Sequence, residues 1–498
     1  MSPKESVDLV IEPHWVLPIA PINTALTDHA VAVTAGRIVA IAPIEQVNAR
    51  FEPRERVVRS GHALLPGFVN AHTRAATTLL RGLPVYGPRQ RWMRETVLPV
   101  ARGCMSPGFV REGTQLAIAE MLQAGITTFA DMYLFPEEAA RAAVAARIRA
   151  AIGLPVTDGP TVWAESATGH LAKAEQLWDE YHSHPSISLY FAPHSAFGEG
   201  DETLARVRRV ADELDARVAM YLAPGEVHES QTLGRSPLVR LEELGLLGPG
   251  FTAIHLGLGG SFGLDEEELE IAARTGICVV ACQQAHLRLG GALCPIAAFE
   301  ARSVAVGLGT DSAVGVGALD MLSEARLAAL LGDSGARIGL GSRSGFGAQS
   351  GLGAHLSGAG SAGQYAVRDA SGSFGASDRP DMGAGPGARD YGGLGAEAVL
   401  RLATLGGACA LGLGSEVGSI EVGKAADLIC IDLSGLACQP PRRPAEAVVF
   451  GATRHQVSDV WTSGRAAVRE GRLLTLDEQE LRELARSWAE RIATGVTV

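Results

Sequence analysis

Five side chains able to ligate metals or move protons each follow directly on a short apolar run. His72 closes LLPGFVNAH, Asp131 closes ITTFAD, His194 follows ISLYFAP, His255 follows FTAI, and Asp311 ends VAVGLGTD. Imidazole and carboxylate both bind divalent ions and transfer protons near neutral pH. One histidine at such a place is more often structural, but several at equivalent places point to a shared site. After His72-Thr73, a second histidine would complete a metal-binding pair, and position 74 is instead arginine. A guanidinium has no lone pair to give at any accessible pH.

The elements that must position these residues alternate. Apolar strand-like runs and helical stretches such as PGFVREGTQLAIAEMLQAG and DETLARVRRVADELD follow one another from residue 66 to 420. A β-α rhythm sustained over roughly 270 residues predicts a (β/α)8 TIM-type barrel, an α/β fold whose chemistry sits at the C-terminal ends of its strands. A doubly wound open sheet is the alternative, but no glycine-rich dinucleotide loop follows the first strand. Residues 1–65 and 421–475 show short apolar runs separated by turns, with TAGR (34–37) as a hairpin signal. They predict a small composite β-sandwich built from both chain ends. Residues 476–498 read as a C-terminal helix. The glycine-rich segment 332–395 interrupts the barrel as a low-complexity insertion that cannot offset its ordering entropy by burial, so it is expected to be mobile.

Composition narrows the partners. The 498 residues carry a net charge of −12 and 47% hydrophobic residues, suited to a globular protein and unsuited to nucleic acid or an anionic membrane. A small-molecule ligand is the default. No secretory signal and no membrane-spanning stretch is evident. The seven cysteines are scattered; Cys278 and Cys282 lie in a β-rich run with no second pair to form a zinc knuckle. Reduced cysteines in a cytoplasmic protein are the expectation.

LLPGFVNAHT, GITTFADMY, Gly309-Thr310-Asp311 and RLATLGGACALGLGSEVGSIEVGKAADLICIDL together give the chain its resemblance to the amidohydrolase superfamily. The branch it resembles holds 5-methylthioadenosine/S-adenosylhomocysteine deaminases and the chlorohydrolase-type triazine enzymes. The resemblance implies one zinc ion, held by an H-x-H pair on the first strand, a histidine on the fifth and an aspartate on the eighth. A glutamate three residues after the fifth-strand histidine shuttles protons, and a sixth-strand histidine orients water or substrate. Carried over by position, His72 and Asp311 are the remaining ligands, and His255 and Asp311 the remaining catalytic groups. Arg74 and Tyr221 stand at lost ligand positions and Pro224 at the acid/base position. The family's C-P-x-S-N-L loop has become Cys282-Gln283-Gln284-Ala285-His286-Leu287.

Zinc is therefore expected to be absent or weakly bound, with hydrolytic activity lost or much reduced. The alternative is a non-catalytic nucleoside-binding protein or scaffold. Arg74 is expected to turn towards Asp311 and neutralise it, and Glu226 and His228 offer a second route, a rebuilt metal site. On the substrate side the resemblance gives Glu95 to the ribose hydroxyls, Trp92 to the nucleoside face and His194 to the ligand. An ordinary amphipathic helix with Trp92 in the core is the competing reading. The expected partner is a nucleoside-like small molecule; homodimers are common among the relatives, and the sequence leaves the oligomeric state open.

Overall fold

The computed structural model describes residues 4–85, 89–222, 236–256, 264, 266–289, 293–332 and 394–494. Pro224, Glu226, His228 and nearly all of the glycine-rich segment lie outside these residues. That segment's described flanks are the helices Met321–Leu331 and Ala396–Arg401.

Eight strands form one parallel sheet in sequential order, as the alternating pattern predicted: Phe68–Thr73, Ile126–Asp131, Arg149–Val156, Ile187–Pro193, Arg217–Tyr221, Phe251–Ile254, Cys278–Ala281 and Ala305–Leu308. We refer to them as the first to eighth barrel strands. Every residue of the first and second is buried, the pattern expected where helices cover one face of a parallel sheet and the barrel interior the other. Helices alternate with the strands. In the longest of these, Pro107–Gln123, Ser106 caps the start by accepting from the Phe109 N–H at 3.2 Å.

Both chain ends contribute to a second, nine-stranded and mostly antiparallel sheet. Its long central strand, Phe51–Pro66, pairs in parallel with Glu5–Val16 on one side and antiparallel with Leu428–Asp432 on the other. The expected β-unit is thus a single hydrogen-bonded sheet. The TAGR hairpin forms: Thr34 faces Arg37, with Ala35 at φ 49° and Gly36 at φ 78°, the left-handed pair a two-residue turn needs. Only Gly67 separates this sheet from the first barrel strand, and its N–H donates to the Asp427 carbonyl at 2.9 Å. A buried Arg149–Asp427 ion pair at 3.0 Å ties the start of the third barrel strand to the same place.

The C-terminal helix, Glu478–Thr494, packs Trp488 against Phe109 with ring centroids 5.3 Å apart, and its indole N–H donates to Glu112 at 2.6 Å. All seven cysteines are free thiols. Among the described residues no helix is long and apolar enough to cross a membrane.

Candidate functional site

The barrel closes at the site itself. Thr73 bridges Asp311 in parallel register, and the Asp311 N–H donates to the His72 carbonyl at 3.0 Å. The Asn70 amide donates to Thr310 Oγ1 at 2.8 Å, and the Thr310 N–H donates back to Asn70 Oδ1 at 2.9 Å. Gly309 permits this approach, since a Cβ there would lie 2.8 Å from the His72 nitrogen. Closure therefore fixes the backbones of His72 and Asp311, and their side chains meet that of His255. Ligating atoms of these three buried residues all lie within 4.8 Å of one another. His72 Nε2 is 3.7 Å from Asp311 Oδ1 and His255 Nε2 is 3.4 Å from Asp311 Oδ2. His255 and Asp311 both hold left-handed backbone (φ 61° and 62°), unusual for residues with a Cβ and concentrated at functional sites.

Electrostatics separate the members of this cluster. Burial lowers the His72 pKa to about 4; Asp311 opposes that shift and Arg74 adds to it, so the imidazole is neutral at pH 7. Neither of its ring nitrogens has a hydrogen-bond partner, although the ring is completely buried. Burial by itself would raise Asp311, but His255, Arg74 and His72 outweigh it and hold the carboxyl well below its usual range. Asp131, at the end of the second strand, accepts from the Ala75 N–H at 2.7 Å and steadies the turn that carries Arg74. Burial pushes its pKa up to about 6.

Arg74 does not reach Asp311: no carboxylate oxygen lies within the 4.0 Å of an ion pair. Thr73 ends the strand, and both Asp311 oxygens face histidines. Arg74 opens the turn into the short helix Ala75–Leu80 and points across the mouth, its guanidinium carbon 5.2 Å from the centre of the Tyr221 ring. Tyr221, at the end of the fifth strand, lies 4.6 Å from the His255 ring and 6.4 Å from that of His72. The result is a box of rings with one cation over its rim.

Beside the box, a cavity of about 620 Å³ opens over the ends of the second, third and fourth strands. Arg74, Arg102 and His194 are on its wall, with Met132, Leu134 and Met105 among its apolar lining. His194 is accessible from the cavity yet enclosed by protein, and that enclosure, with Arg74 near, lowers its pKa to about 4. Trp92 and Glu95 are not brought to this wall. Trp92 is 1% exposed, packed with Ala76, Leu80 and Val97, its indole N–H donating to the Pro84 carbonyl at 2.9 Å. Glu95 faces solvent, where Arg91 Nε lies 2.8 Å and Arg94 3.3 Å from its carboxylate.

Two residues of the site went unassigned from sequence. His286 Nε2 lies 2.7 Å from His255 Nδ1, a hydrogen bond between two imidazoles that orients the ring of His255. Glu324 is fully buried beneath the helix Gln283–Arg288 and accepts from the Gln283 and Gln284 N–H groups and from the Gln284 amide. Burial raises its pKa to about 8. His286 was visible as a departure from the family loop; Glu324 lies in the first turn of the helix Met321–Leu331, where an acidic residue is ordinary and gives no sign of the site.

A (β/α)8 barrel with two histidines and an aspartate at its strand ends, joined to a sheet made by both chain ends, defines the class as the barrel hydrolases of the amidohydrolase type. Residues 63–337 and 329–467 match the amidohydrolase family model, and the chain belongs to that family. It is 33% identical over 495 residues to the 5-methylthioadenosine/S-adenosylhomocysteine deaminase of Teredinibacter turnerae, covering 99% of each chain. The enzyme of the same name from Saccharophagus degradans is 31% identical, across 99% of this chain and 98% of that one. An adenosine deaminase from Xanthomonas campestris, solved with bound zinc, superposes with a TM-score of 0.85 at 36% identity, over 99% of this chain and 100% of that one. Atrazine chlorohydrolase from Arthrobacter aurescens TC1, complexed with zinc, shares the fold: TM-score 0.79 at 20% identity, over 96% and 99% of the two chains.

Proposed function

We propose that this amidohydrolase-family protein binds a nucleoside-like ligand at the mouth of its barrel, with hydrolytic activity lost or much reduced. The observation that carries the reading is Arg74. A fixed positive charge stands beside the His72–His255–Asp311 cluster and already helps to hold Asp311 ionised. A divalent cation brought to the same carboxylate would meet that charge in a largely dry site, where repulsion is poorly screened. The side chain from the fifth strand is a phenol, which ligates only as phenolate and has an ordinary pKa of about 10. The donor set thus fits a divalent ion poorly, and no hydrolytic step is assigned to it. The 33% identity to a deaminase of thioether nucleosides supports the ligand class.

In this reading the neutral His194 imidazole offers a hydrogen bond to the ligand from the cavity wall, while Met132 and Leu134 exclude water from its apolar face. Trp92 supports the wall from behind rather than covering the ligand.

A second reading, retained hydrolysis, is favoured by one observation: three donors within 4.8 Å of one another are enough for a catalytic zinc site that leaves one position open. His72, His255 and Asp311 would hold the ion, which when bound supplies an acidified water. Calorimetric titration with 5'-methylthioadenosine, paired with a spectroscopic deamination assay, decides between them. Saturable binding without turnover is expected. Steady deamination by the unmodified protein would overturn the first reading.

A further inference from the structure

At the opposite end of the barrel, a cavity of about 800 Å³ opens between the nine-stranded sheet and the starts of the third and fourth barrel strands. Two hairpin turns of the same make meet there, Thr34-Ala35-Gly36-Arg37 and Thr462-Ser463-Gly464-Arg465, one from each end of the chain. Ser463 and Gly464 are left-handed at φ 45° and 72°, as Ala35 and Gly36 are. The turns abut so closely that a Cβ on Gly36 would lie 2.9 Å from the Ser463 carbonyl oxygen. Their arginines are thereby brought to one cavity, which Arg54, Arg147 and Arg149 also line. Five guanidinium groups and only two carboxylates are among the lining residues, in a chain whose net charge is −12. Three of the five are answered: Arg37 by Glu416 at 2.8 Å, Arg54 by Asp8 at 3.3 Å and Arg149 by the buried Asp427 at 3.0 Å. Arg147 and Arg465 have no acidic partner within ion-pair distance among the described residues. The end of the helix Pro136–Ala146 favours a cation at Arg147, but the hairpin gives Arg465 no such reason.

We infer that this junction is a binding site for a small phosphate anion of two or more charges, a pyrophosphate or a phosphate ester, held by Arg147 and Arg465. A guanidinium fork matches phosphate oxygens two bonds at a time. A concave and mainly cationic wall concentrates such anions at a chain that otherwise repels them. Neutral donors stand among the cations. The Ser463 hydroxyl accepts from Arg149 at 3.4 Å, which leaves its own hydrogen to donate. The Ser186 N–H donates to His184 Nδ1 at 3.3 Å, so the neutral imidazole carries its proton on Nε2. The third strand runs from Arg149 to Val156, so this site lies roughly 23 Å from the cavity at the barrel mouth and shares no residue with it. A bound anion bridges the two units of the fold, because Arg465 belongs to the sheet and Arg147 to the barrel.

The test titrates the full-length protein calorimetrically, without magnesium, with inorganic pyrophosphate, glycerol 3-phosphate and acetate. Both phosphates are expected to saturate one site per chain and to bind about tenfold or more tighter than acetate; the tighter of the two tells an inorganic anion from an ester. Arg147→Gln combined with Arg465→Gln should weaken pyrophosphate about tenfold or more, the scale of two charge-assisted hydrogen bonds. Arg465→Gln alone, on an exposed turn, should weaken it about threefold, which keeps the test open should the double variant fold poorly. Arg482→Gln removes the same charge from the C-terminal helix, where its partner is Glu478, and should change nothing. Pyrophosphate should also raise the melting temperature of the parent and not of the double variant, since it binds only the folded junction. Phosphates that do not saturate, or that bind no tighter than acetate, overturn the inference. So does an equal loss in Arg482→Gln, which would read net charge alone. A loss that follows Arg102→Gln instead would put the anion at the barrel mouth and overturn it as well.

Discussion

Two sides of one barrel mouth treat their polar residues differently. At the ends of the first, sixth and eighth strands, His72, His255 and Asp311 are buried; the backbone bonds that close the barrel hold His72 and Asp311, and the His255 N–H donates to the Val280 carbonyl of the seventh strand. Over the second to fourth strands, His194 and Arg102 border open space; the His194 N–H donates to the Val156 carbonyl of the third strand at 3.3 Å, and its side chain lines the cavity. The closed corner is part of the fold's own fastening, so losing a member costs stability as well as chemistry. Arg74 joins the two sides, since it acts electrostatically on Asp311 and lines the cavity. Residues retained at an inherited site are therefore not by themselves evidence of retained turnover.

The most forceful way to break the difference is to give the closed corner back the donors the family uses. Arg74→His, Tyr221→His and Pro224→Glu together should raise deamination of 5'-methylthioadenosine by about a hundredfold or more over the parent, the scale of a restored general acid–base. A steady-state assay showing no gain would mean the corner has lost more than its side chains.

Stability comes next. Asp311→Ala removes the anion among His72, His255 and Arg74 and should cost about 3 kcal/mol in urea unfolding. His194→Ala, across the mouth, should cost under about 1 kcal/mol. Similar losses at both positions would erase the distinction between a fastened corner and an open wall.

A smaller effect is expected from pH. Asp311 has a depressed folded pKa, so its stabilisation is present above its unfolded value near 4 and fades only in strong acid. Glu324 is raised to about 8, so its contribution is complete below its unfolded value of about 4.3 and is lost as pH rises through 8. Asp131, raised to about 6, acts in the same direction as Glu324. Glu324→Gln should therefore gain on the parent between pH 5 and pH 8 by upwards of about 1 kcal/mol, read from urea midpoints. A gain independent of pH would mean Glu324 is already ionised throughout.

The smallest effect sharpens the map of the open side. Glu95→Ala should leave nucleoside affinity within about twofold, because an exposed carboxylate held by neighbouring arginines contributes little. A larger loss would place Glu95 on the ligand after all and move the seat towards the helix that carries it.

Much of this was legible in the sequence. The barrel was readable because buried parallel strands such as ISLYFAP and FTAI are largely apolar runs followed by a polar residue, a pattern that also located His72, Asp131, His194, His255 and Asp311. Side-chain direction was not. Arg74 looked like a partner for Asp311 because opposite charges flanked one lost site, but the turn after Thr73 aims it at Tyr221. Trp92 and Glu95 share a helical segment, and no local pattern says which side faces the cavity. His286 and Glu324 meet the site only through tertiary packing, 31 residues from His255 and 41 from Gln283 respectively.

The central claim is that Arg74 and Tyr221 have turned a metal site into a ligand site. Its most direct test is the zinc content of the purified protein by elemental mass spectrometry, after incubation with zinc and desalting. The account predicts far less than one zinc per chain in the parent and about one in the triple variant, as four donors with an open position would hold. About one zinc per chain in the parent, accompanied by deamination, would contradict it.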